Sequence, residues 1–137
     1  MVKAEVYGPD TYDSCANRVK KMTGVLLIFH PGCGHCVQMR PAWESMKQSL
    51  PHGSTIVEVD GSAMSEHPKM RMLPAIQKLK GFPTIVRLKK GMPVDEYSGP
   101  RTAESMGHFS KPKRSVRTTK RKSNRKSRKI DTRKKRS

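Results

Sequence analysis

The sequence predicts an α/β fold, in which helices flank a central mixed sheet, followed by a basic C-terminal tail with no fold of its own. Apolar strand-like runs alternate with helical segments through residues 1–110. Two closely spaced cysteines, Cys33 and Cys36, come shortly after one of the predicted strands. Lysine and arginine dominate residues 111–137. We therefore predict one globular domain at 1–110 and a disordered tail at 111–137.

The first half of the domain has the pattern of parallel strands joined by helices. Residues 4–7 predict a short strand, and a helix is expected over 9–22, opened by a proline. Residues 25–29 are apolar throughout, which is typical of a central strand covered on both faces. A second helix is expected over 33–49, with a kink at Pro41 because proline cannot donate an interior helical hydrogen bond.

The second half of the domain predicts another strand, a broken helical stretch and a hairpin. Residues 55–60 alternate and predict a strand, and 64–80 are helical in parts, interrupted by Pro68 and Pro74. The remaining elements are a strand at 84–88, a turn at 89–91, a returning strand at 95–97 and a final helix at 102–109. Parallel strands followed by an antiparallel pair make a mixed sheet.

The cysteine count and the lengths of the apolar runs exclude several classes of protein. Three cysteines in 137 residues are too few for a disulfide-stapled secreted scaffold. Residues 1–5 are not followed by the apolar core of a signal peptide, and no apolar run approaches the roughly 20 residues of a membrane helix. The sequence therefore predicts no membrane contact and a location in the cytoplasm, the nucleus or a particle-bound compartment.

The cysteine pair predicts a redox site. Cysteines separated by two residues can close into a disulfide and reopen, and this pair would begin a helix. We expect Cys33 to be the nucleophile because a helix N-terminus favours its thiolate, with Gly34 and His35 tuning it. Cys36 is expected to resolve the mixed disulfide, and no cofactor is predicted besides the Cys33–Cys36 disulfide.

Other roles for the cysteines stay open from the sequence. A zinc site would need four ligands, and no second Cys-x-x-Cys accompanies the first. Cys15 and three scattered histidines would have to complete it, so no metal site is predicted. Cys15 itself is expected to be a buried structural residue on the first helix, and the alternative is regulatory pairing with another chain.

A proline opens one of the predicted strands, in the segment Gly-Phe-Pro-Thr at 81–84. Proline has no amide hydrogen to donate to a strand ladder, so it is expected at the first residue of a strand and not inside one. If the Phe82–Pro83 bond is cis, the Phe82 backbone would lie beside the disulfide and could pair with a substrate strand. The alternative is an ordinary trans proline in a loop.

Four segments together resemble one known domain. They are Phe-His-Pro-Gly-Cys-Gly-His-Cys at 29–36, Pro-Ala-Trp-Glu at 41–44, Gly-Phe-Pro-Thr at 81–84 and Tyr-Ser-Gly-Pro-Arg at 97–101. In this order the chain resembles an a-type thioredoxin domain of protein disulfide isomerases over essentially residues 1–110. The resemblance implies a thioredoxin fold, Cys33 as the attacking thiol, Cys36 as the resolving thiol and Pro83 as a cis-proline.

The same resemblance implies a role for Arg101. In such domains an arginine at this position can approach the active site and lower the pKa of the resolving thiol. The alternative is a solvated surface arginine, because arginine side chains are mostly exposed.

Phe82 and Gly32 are the residues that we expect to contact the substrate.

Three positions depart from the family pattern. Gly32 stands where the family usually has Trp, Leu27 where it has a buried acid, and Val37 where it has Lys. The acid is thought to exchange a proton with the resolving thiol. Without it, Cys36 would lose its proton to water or with help from Arg101, and reductase or isomerase turnover would be slow.

The tail predicts binding to polyanions. Residues 111–137 contain fifteen Lys or Arg and one acid, Asp131, out of a chain net charge of +18. They have no aromatic side chain for stacking on bases, so they can neutralise phosphates without reading sequence. The residues expected to contact nucleic acid or another polyanion are Lys120, Arg121, Lys122, Arg125, Lys126, Arg128 and Lys129.

Two functions are consistent with the sequence. The first is a thiol–disulfide oxidoreductase that acts on protein thiols and is localised by its tail. The alternative is a structural or virion-associated protein that keeps the fold and binds nucleic acid or capsid through the tail. A single disulfide isomerase domain with a basic tail resembles proteins encoded by large DNA viruses. The oligomeric state is not predicted.

Overall fold

A computed structural model of the chain describes residues 4–112. Residues 1–3 and 113–137 lie outside this part. The predicted polyanion-binding residues at 120–129 therefore also lie outside the described residues, as does nearly all of the predicted tail.

Helices alternate with strands along the described residues, as the sequence predicts. The strands are β1 (Glu5–Tyr7), β2 (Gly24–Phe29), β3 (Ile56–Asp60), β4 (Thr84–Lys89) and β5 (Met92–Glu96). The helices are α1 (Tyr12–Val19), α2 (Gly34–Ser49), α3 (Pro68–Arg71), α4 (Pro74–Gln77) and α5 (Ala103–Ser110). Short 3₁₀ turns occupy Pro9–Thr11 and Met64–Glu66. In residues 4–112, no helix is long and apolar enough to cross a membrane.

The strands form one mixed sheet in the order β1-β3-β2-β4-β5. β3 pairs in parallel with both β1 and β2, whereas β4 runs antiparallel to β2 and to β5. The predicted mixed sheet flanked by helices is confirmed. The carboxyl end of β2 leads directly into the segment that carries the two cysteines.

Both faces of the sheet are covered, which explains the continuous apolar sequence of β2. Leu26 and Ile28 join a core with side chains of α1, α3 and α4. Val25 and Leu27 face the other way and join a second core that includes residues of α2 and α5. Alternate side chains of a strand point to opposite faces, so every position between two helical layers must be apolar or have a buried polar partner.

The first helix is shorter than predicted. A 3₁₀ turn precedes α1, and the helix ends at Val19 rather than Met22. The Met22 carbonyl accepts a hydrogen bond from the Gly91 amide at 2.8 Å, so this segment is joined to the β4–β5 turn. A Cβ on Gly91 would lie 2.3 Å from the Lys20 carbonyl oxygen, which explains the glycine at this close approach.

The last strand is longer than predicted. β5 begins at Met92, whereas the sequence predicts a strand that begins at residue 95. Pro93 lies in the added part of the strand. β5 pairs only with β4 among the described strands, and an edge strand tolerates a proline because one row of its backbone groups does not join a ladder. A register shift between Arg87 and Leu88 accommodates the irregular pairing.

Candidate active site

Cys33 forms the N-cap of α2. Its backbone is extended, with φ of −90° and ψ of 121°, and α2 begins one residue later than predicted, at Gly34. A turn connects β2 to this cap, closed by a hydrogen bond from the Cys33 amide to the His30 carbonyl at 3.0 Å. The Val37 amide donates to the Cys33 carbonyl at 3.1 Å. The Cys33 side chain therefore lies at the end of the helix where amide groups have no helical acceptor.

These amides favour the thiolate of Cys33. Its pKa lies below the ordinary thiol value, chiefly because the Cys36 backbone amide donates towards the sulfur. The Cys36 thiol and the His35 amide also donate, and the charge of Arg101 acts in the same direction. Partial desolvation opposes these effects without reversing them. A thiol of this kind is a better nucleophile near neutral pH than an ordinary cysteine.

The second cysteine has the opposite environment. Cys36 is 5% exposed, and burial raises the pKa of its thiol. The His30 amide donates to its sulfur at 3.5 Å and partly offsets the effect of burial. The positive charge of Arg40 also lowers this pKa. Both cysteines are free thiols in the structure.

A loop with a cis-proline packs against the cysteine pair. The Phe82–Pro83 bond is cis, as the family resemblance implies. The Cys33 thiol donates to the Phe82 carbonyl, with 3.6 Å between sulfur and oxygen. The Phe82 ring meets the His30 ring edge-on, with 5.4 Å between centroids. The loop therefore brings a backbone segment to the nucleophile, where an extended peptide could pair.

The other residues named from the sequence lie at the surface around the pair. Gly32, Gly34 and His35 are exposed, and the Gly32 amide donates to His30 Nδ1 at 3.0 Å. Arg101 is exposed, and its charge acts on Cys33, whereas the resemblance implied an effect on Cys36. The hydroxyl of Tyr97 donates to the Pro100 carbonyl and so shapes the segment that presents this arginine.

Cys15 is buried, as expected. It is 0% exposed on the inner side of α1, and desolvation raises its pKa to about 12. A thiol with this pKa is almost wholly protonated at neutral pH. Across residues 4–112, no three His, Cys, Asp or Glu side chains group as a metal site.

A buried acid does lie under α2, but on a different strand from the one that the family pattern indicates. Leu27 is 0% exposed, and its register partner on β3 is Glu58, which is 2% exposed. The two residues are neighbours across the sheet, and the alternation of the strands directs both side chains to the α2 face. The acid that is absent from β2 is therefore matched by one on the adjacent strand.

Glu58 is held by side chains from one face of α2. Arg40 Nη1 lies 2.8 Å from its Oε1, and Trp43 Nε1 and Lys47 Nζ lie 2.9 Å and 2.6 Å from its Oε2. Glu44 joins the cluster by contacts to Arg40 at 3.3 Å and Lys47 at 3.0 Å. Burial acts to raise the pKa of Glu58, but these hydrogen bonds together hold it below its ordinary value.

Sequence reasoning missed Glu58 and Arg40. The alternation in residues 55–60 predicts a strand with one solvated face, which would include Glu58. In the structure Ile56, Val57, Glu58 and Val59 are all buried. The available signal was a single acid in an apolar strand together with Arg40 and Lys47 seven residues apart, on one helix face. Joining these signals requires knowing that α2 covers β3.

The comparisons with known proteins place this fold in one class, the thioredoxin-fold proteins. A family model described as Thioredoxin matches residues 6–111. The chain belongs to the thioredoxin family.

Its relatives include protein disulfide isomerases. The chain is 32% identical over 95 residues to protein disulfide-isomerase like 2-2 of Arabidopsis thaliana, covering 68% of this chain and 20% of that protein. It is 35% identical over 89 residues to protein disulfide-isomerase A4 of Mus musculus, covering 63% and 13%. The chain thus spans about a fifth or less of these relatives' lengths.

A solved structure agrees with the fold. The solution structure of the first thioredoxin domain of mouse protein disulfide-isomerase A4 has a TM-score of 0.56 and 27% identity, covering 88% of this chain and 90% of that one. The J-Trx1 fragment of ERdj5 also has a TM-score of 0.56, at 20% identity, covering 77% of this chain and 49% of that one. The second likeness concerns the fold alone.

Proposed function

We propose that this chain is a thiol–disulfide oxidoreductase of the disulfide isomerase or oxidase type, acting on protein thiols through Cys33 and Cys36. One observation carries the proposal: Cys33 at the N-cap of α2 has a lowered pKa, whereas Cys36, buried in the first turn, has a raised pKa. A nucleophile needs the first property, and a resolving thiol that stays protonated until required fits the second. The relationship to protein disulfide isomerases supports the same activity.

In the reductive direction the Cys33 thiolate attacks one sulfur of a client disulfide. A bond forms between Cys33 and the client while the client's own S–S bond breaks, and the released client thiolate takes a proton from water. Cys36 then loses its proton to water and attacks Cys33 Sγ. The Cys33–Cys36 disulfide forms, and the second client thiolate leaves. The client gains the two electrons that the cysteine pair loses.

The reverse sequence oxidises a client dithiol. In both directions the proposed cofactor is the Cys33–Cys36 disulfide alone, and a small thiol–disulfide couple such as glutathione returns the pair to its starting state. The client's backbone would lie along the loop at Phe82, whose carbonyl is already 3.6 Å from the Cys33 sulfur. Gly32, directly before Cys33, is exposed and has no side chain to obstruct a client.

The function predicts a measurable redox couple and turnover. We expect a reduction potential in the upper half of the range from about −270 mV to about −120 mV, because the stabilised Cys33 thiolate favours the reduced form. The measurement is equilibration of the full chain in glutathione buffers, followed by oxidation of a dithiol peptide and reactivation of a scrambled disulfide protein. A potential at the lower limit, or no turnover of either substrate, would contradict the proposal.

A second candidate function rests on the charge of residues 111–137. A structural or virion-associated protein would use this tail to hold nucleic acid or an acidic partner, and the cytoplasm, the nucleus and a virus particle all supply such polyanions. The supporting observation is the density of basic residues, with fifteen Lys or Arg among 27 positions. Both candidates can hold together if the tail localises the enzyme.

Removing residues 113–137 is expected to abolish salt-sensitive binding to DNA or RNA while leaving thiol turnover unchanged. For the full chain, the logarithm of the affinity should fall with the logarithm of salt concentration, by about 0.9 per phosphate neutralised on duplex DNA. The measurement is titration of both proteins on two unrelated duplexes at two salt concentrations. Equal affinity after truncation would place the binding surface on residues 1–112, and strong preference for one duplex would contradict non-specific binding.

A further inference from the structure

We propose that Arg40 is the cation that stabilises the Cys36 thiolate when that thiol resolves the mixed disulfide, and that buried Glu58 holds Arg40 in place. The inference rests on the proposed oxidoreductase function and deepens it. Neither residue belongs to the motifs that gave the family resemblance. Together they supply a charge environment for Cys36 in a chain that has Leu27 where the family pattern has an acid.

Arg40 and Cys36 face the same space. They are separated by one turn of α2, and side chains at this spacing are neighbours on a helix surface. Both line a cavity of about 370 Å³ at the carboxyl end of β2. The other lining residues are Phe29, His30, Pro31, Val37 and Pro41. The cavity gives water a route to the Cys36 thiol, and the guanidinium forms part of its wall.

The Arg40 guanidinium is fixed rather than free to leave this wall. Its carbon lies 4.8 Å from the centroid of the Phe29 ring, over the ring face. One of its nitrogens lies 2.8 Å from Glu58 Oε1, and the side chain is only 33% exposed. A cation between an aromatic face and a buried carboxylate keeps a defined position, because planar guanidinium groups stack and bond in fixed directions.

Glu58 fits the role of an anchor better than that of a base. Both of its oxygens accept hydrogen bonds from side chains of α2, and its pKa is held below the ordinary value. A carboxylate that is stabilised in its charged form is a weak proton acceptor near neutral pH. The proton of Cys36 is therefore expected to pass to water, while Arg40 stabilises the sulfur anion that remains.

Within residues 4–112, few charged or titratable groups act on Cys36 besides Arg40. Cys33 opposes its ionisation, whereas the His30 amide donates to the sulfur and favours ionisation. The His30 ring also lines the shared cavity. Arg40 in turn contacts Glu44 and Glu58. The charge of Arg101 lowers the pKa of Cys33, whereas the charge of Arg40 lowers the pKa of Cys36. Each arginine therefore acts on a different thiol.

The first test is a titration that needs no turnover. In a Cys33→Ser background, the pKa of Cys36 is measured by NMR of its Cβ carbon. We expect Arg40→Gln to raise it and Arg40→Lys to restore most of the difference. The matched control is Arg18→Gln. Arg18 is 35% exposed and, like Arg40, pairs with a glutamate, with 2.8 Å between its Nε and Glu5 Oε1. It lies on α1, which packs in the other core. An unchanged value with Arg40→Gln, or an equal rise with Arg18→Gln, overturns the proposal.

The second test follows the resolving step itself. The Cys33–glutathione mixed disulfide is formed in the full chain, and release of glutathione is timed against pH. Arg40→Gln should slow release roughly three- to tenfold at pH 7 and move the profile to higher pH, because the rate follows the thiolate fraction of the attacking thiol. The initial attack of Cys33 on oxidised glutathione should be unchanged. Equal slowing of both steps would mean that Arg40 acts on the whole site and would overturn the assignment.

The anchoring role of Glu58 is tested by a double variant. Glu58→Gln alone should slow glutathione release, and if Glu58 acts only through Arg40 it should not slow release further in an Arg40→Gln background. Near-ultraviolet circular dichroism of Trp43 identifies any variant that loses its tertiary packing. Further slowing in the folded double variant would show that Glu58 acts on Cys36 directly. Absence of turnover by the unmodified chain would refute the proposed function, and the titration would still decide the role of Arg40.

Discussion

Cys33→Ser is expected to reduce turnover of a protein disulfide on the order of a thousandfold or more, because no other described thiol has the same environment. Cys36 is buried with a raised pKa, and Cys15 is fully buried with a pKa raised to about 12. Neither thiol can take over the attack. The measurement is initial rate on a scrambled disulfide protein in glutathione buffer.

The matched controls separate the roles of the cysteines. Cys15→Ala should keep the rate close to that of the unmodified chain, with a modest loss of stability from its core position. Cys36→Ser should keep the attack but lose resolution, so mixed disulfides with the client should accumulate on non-reducing gels. If Cys33→Ser retained turnover, or if Cys15→Ala removed it, the assignment of the nucleophile would be wrong.

Glu58→Gln is expected to lower the free energy of unfolding by about 3 kcal/mol at pH 7, because it breaks a buried charge cluster and leaves Lys47 and Arg40 without their buried carboxylate. The lower end of the destabilisation measured for broken buried ion pairs applies, since Arg40 is 33% exposed and can turn to water once the Glu58 carboxylate is removed. The measurement is urea unfolding followed by the fluorescence of Trp43, whose Nε1 donates to this carboxylate at 2.9 Å.

The effect of Glu58 on stability should also depend on pH in a defined direction. Its pKa in the folded chain lies below the ordinary value of 4.5, so the unfolded chain binds this proton more readily. The stabilisation is therefore complete above the unfolded pKa and is lost as the pH falls through the folded pKa. The difference between the unmodified chain and Glu58→Gln should be constant near neutrality and shrink below about pH 4.5.

The control for this prediction is Glu44→Gln. Glu44 contacts the same two cations, but its side chain is 48% exposed, so its removal should cost less than about 1 kcal/mol. Equal losses of unfolding free energy for Glu44→Gln and Glu58→Gln would show that burial of the carboxylate does not decide its contribution to stability. A difference that grew on acidification would contradict the direction of the Glu58 pKa.

Local sequence patterns predicted most of the elements that form the site. The apolar run of β2 and the following Pro-Gly turn are properties of consecutive residues, and they correctly place a cysteine pair at the start of a helix. The resemblance correctly implied the cis bond before Pro83. These features could be predicted because strand, turn and helix-start preferences depend on residues that are close in sequence.

The predicted bounds of α1 and β5 are wrong where the structure brings together segments that are distant in the sequence. The end of α1 depends on a hydrogen bond between Met22 and Gly91, which are far apart in the sequence. The length of β5 depends on its place at the sheet edge, where Pro93 is tolerated. Local preference alone cannot supply either constraint, because both are set by which segments become neighbours in the sheet.

The sequence alone was enough to predict the fold class, which the structure confirms, because strand and helix patterns depend on local order. The redox role of Cys33 and Cys36 and the separate basic tail stay predictions from motif and composition. Only the tertiary structure decided which charges reach each thiol. Glu58 is buried because α2 covers the face of β3 that a free strand would expose. Arg40 bonds to Glu58 and lines the same cavity as Cys36. Electrostatic effects on a thiol depend on distance and burial, and these are fixed when separate elements pack together.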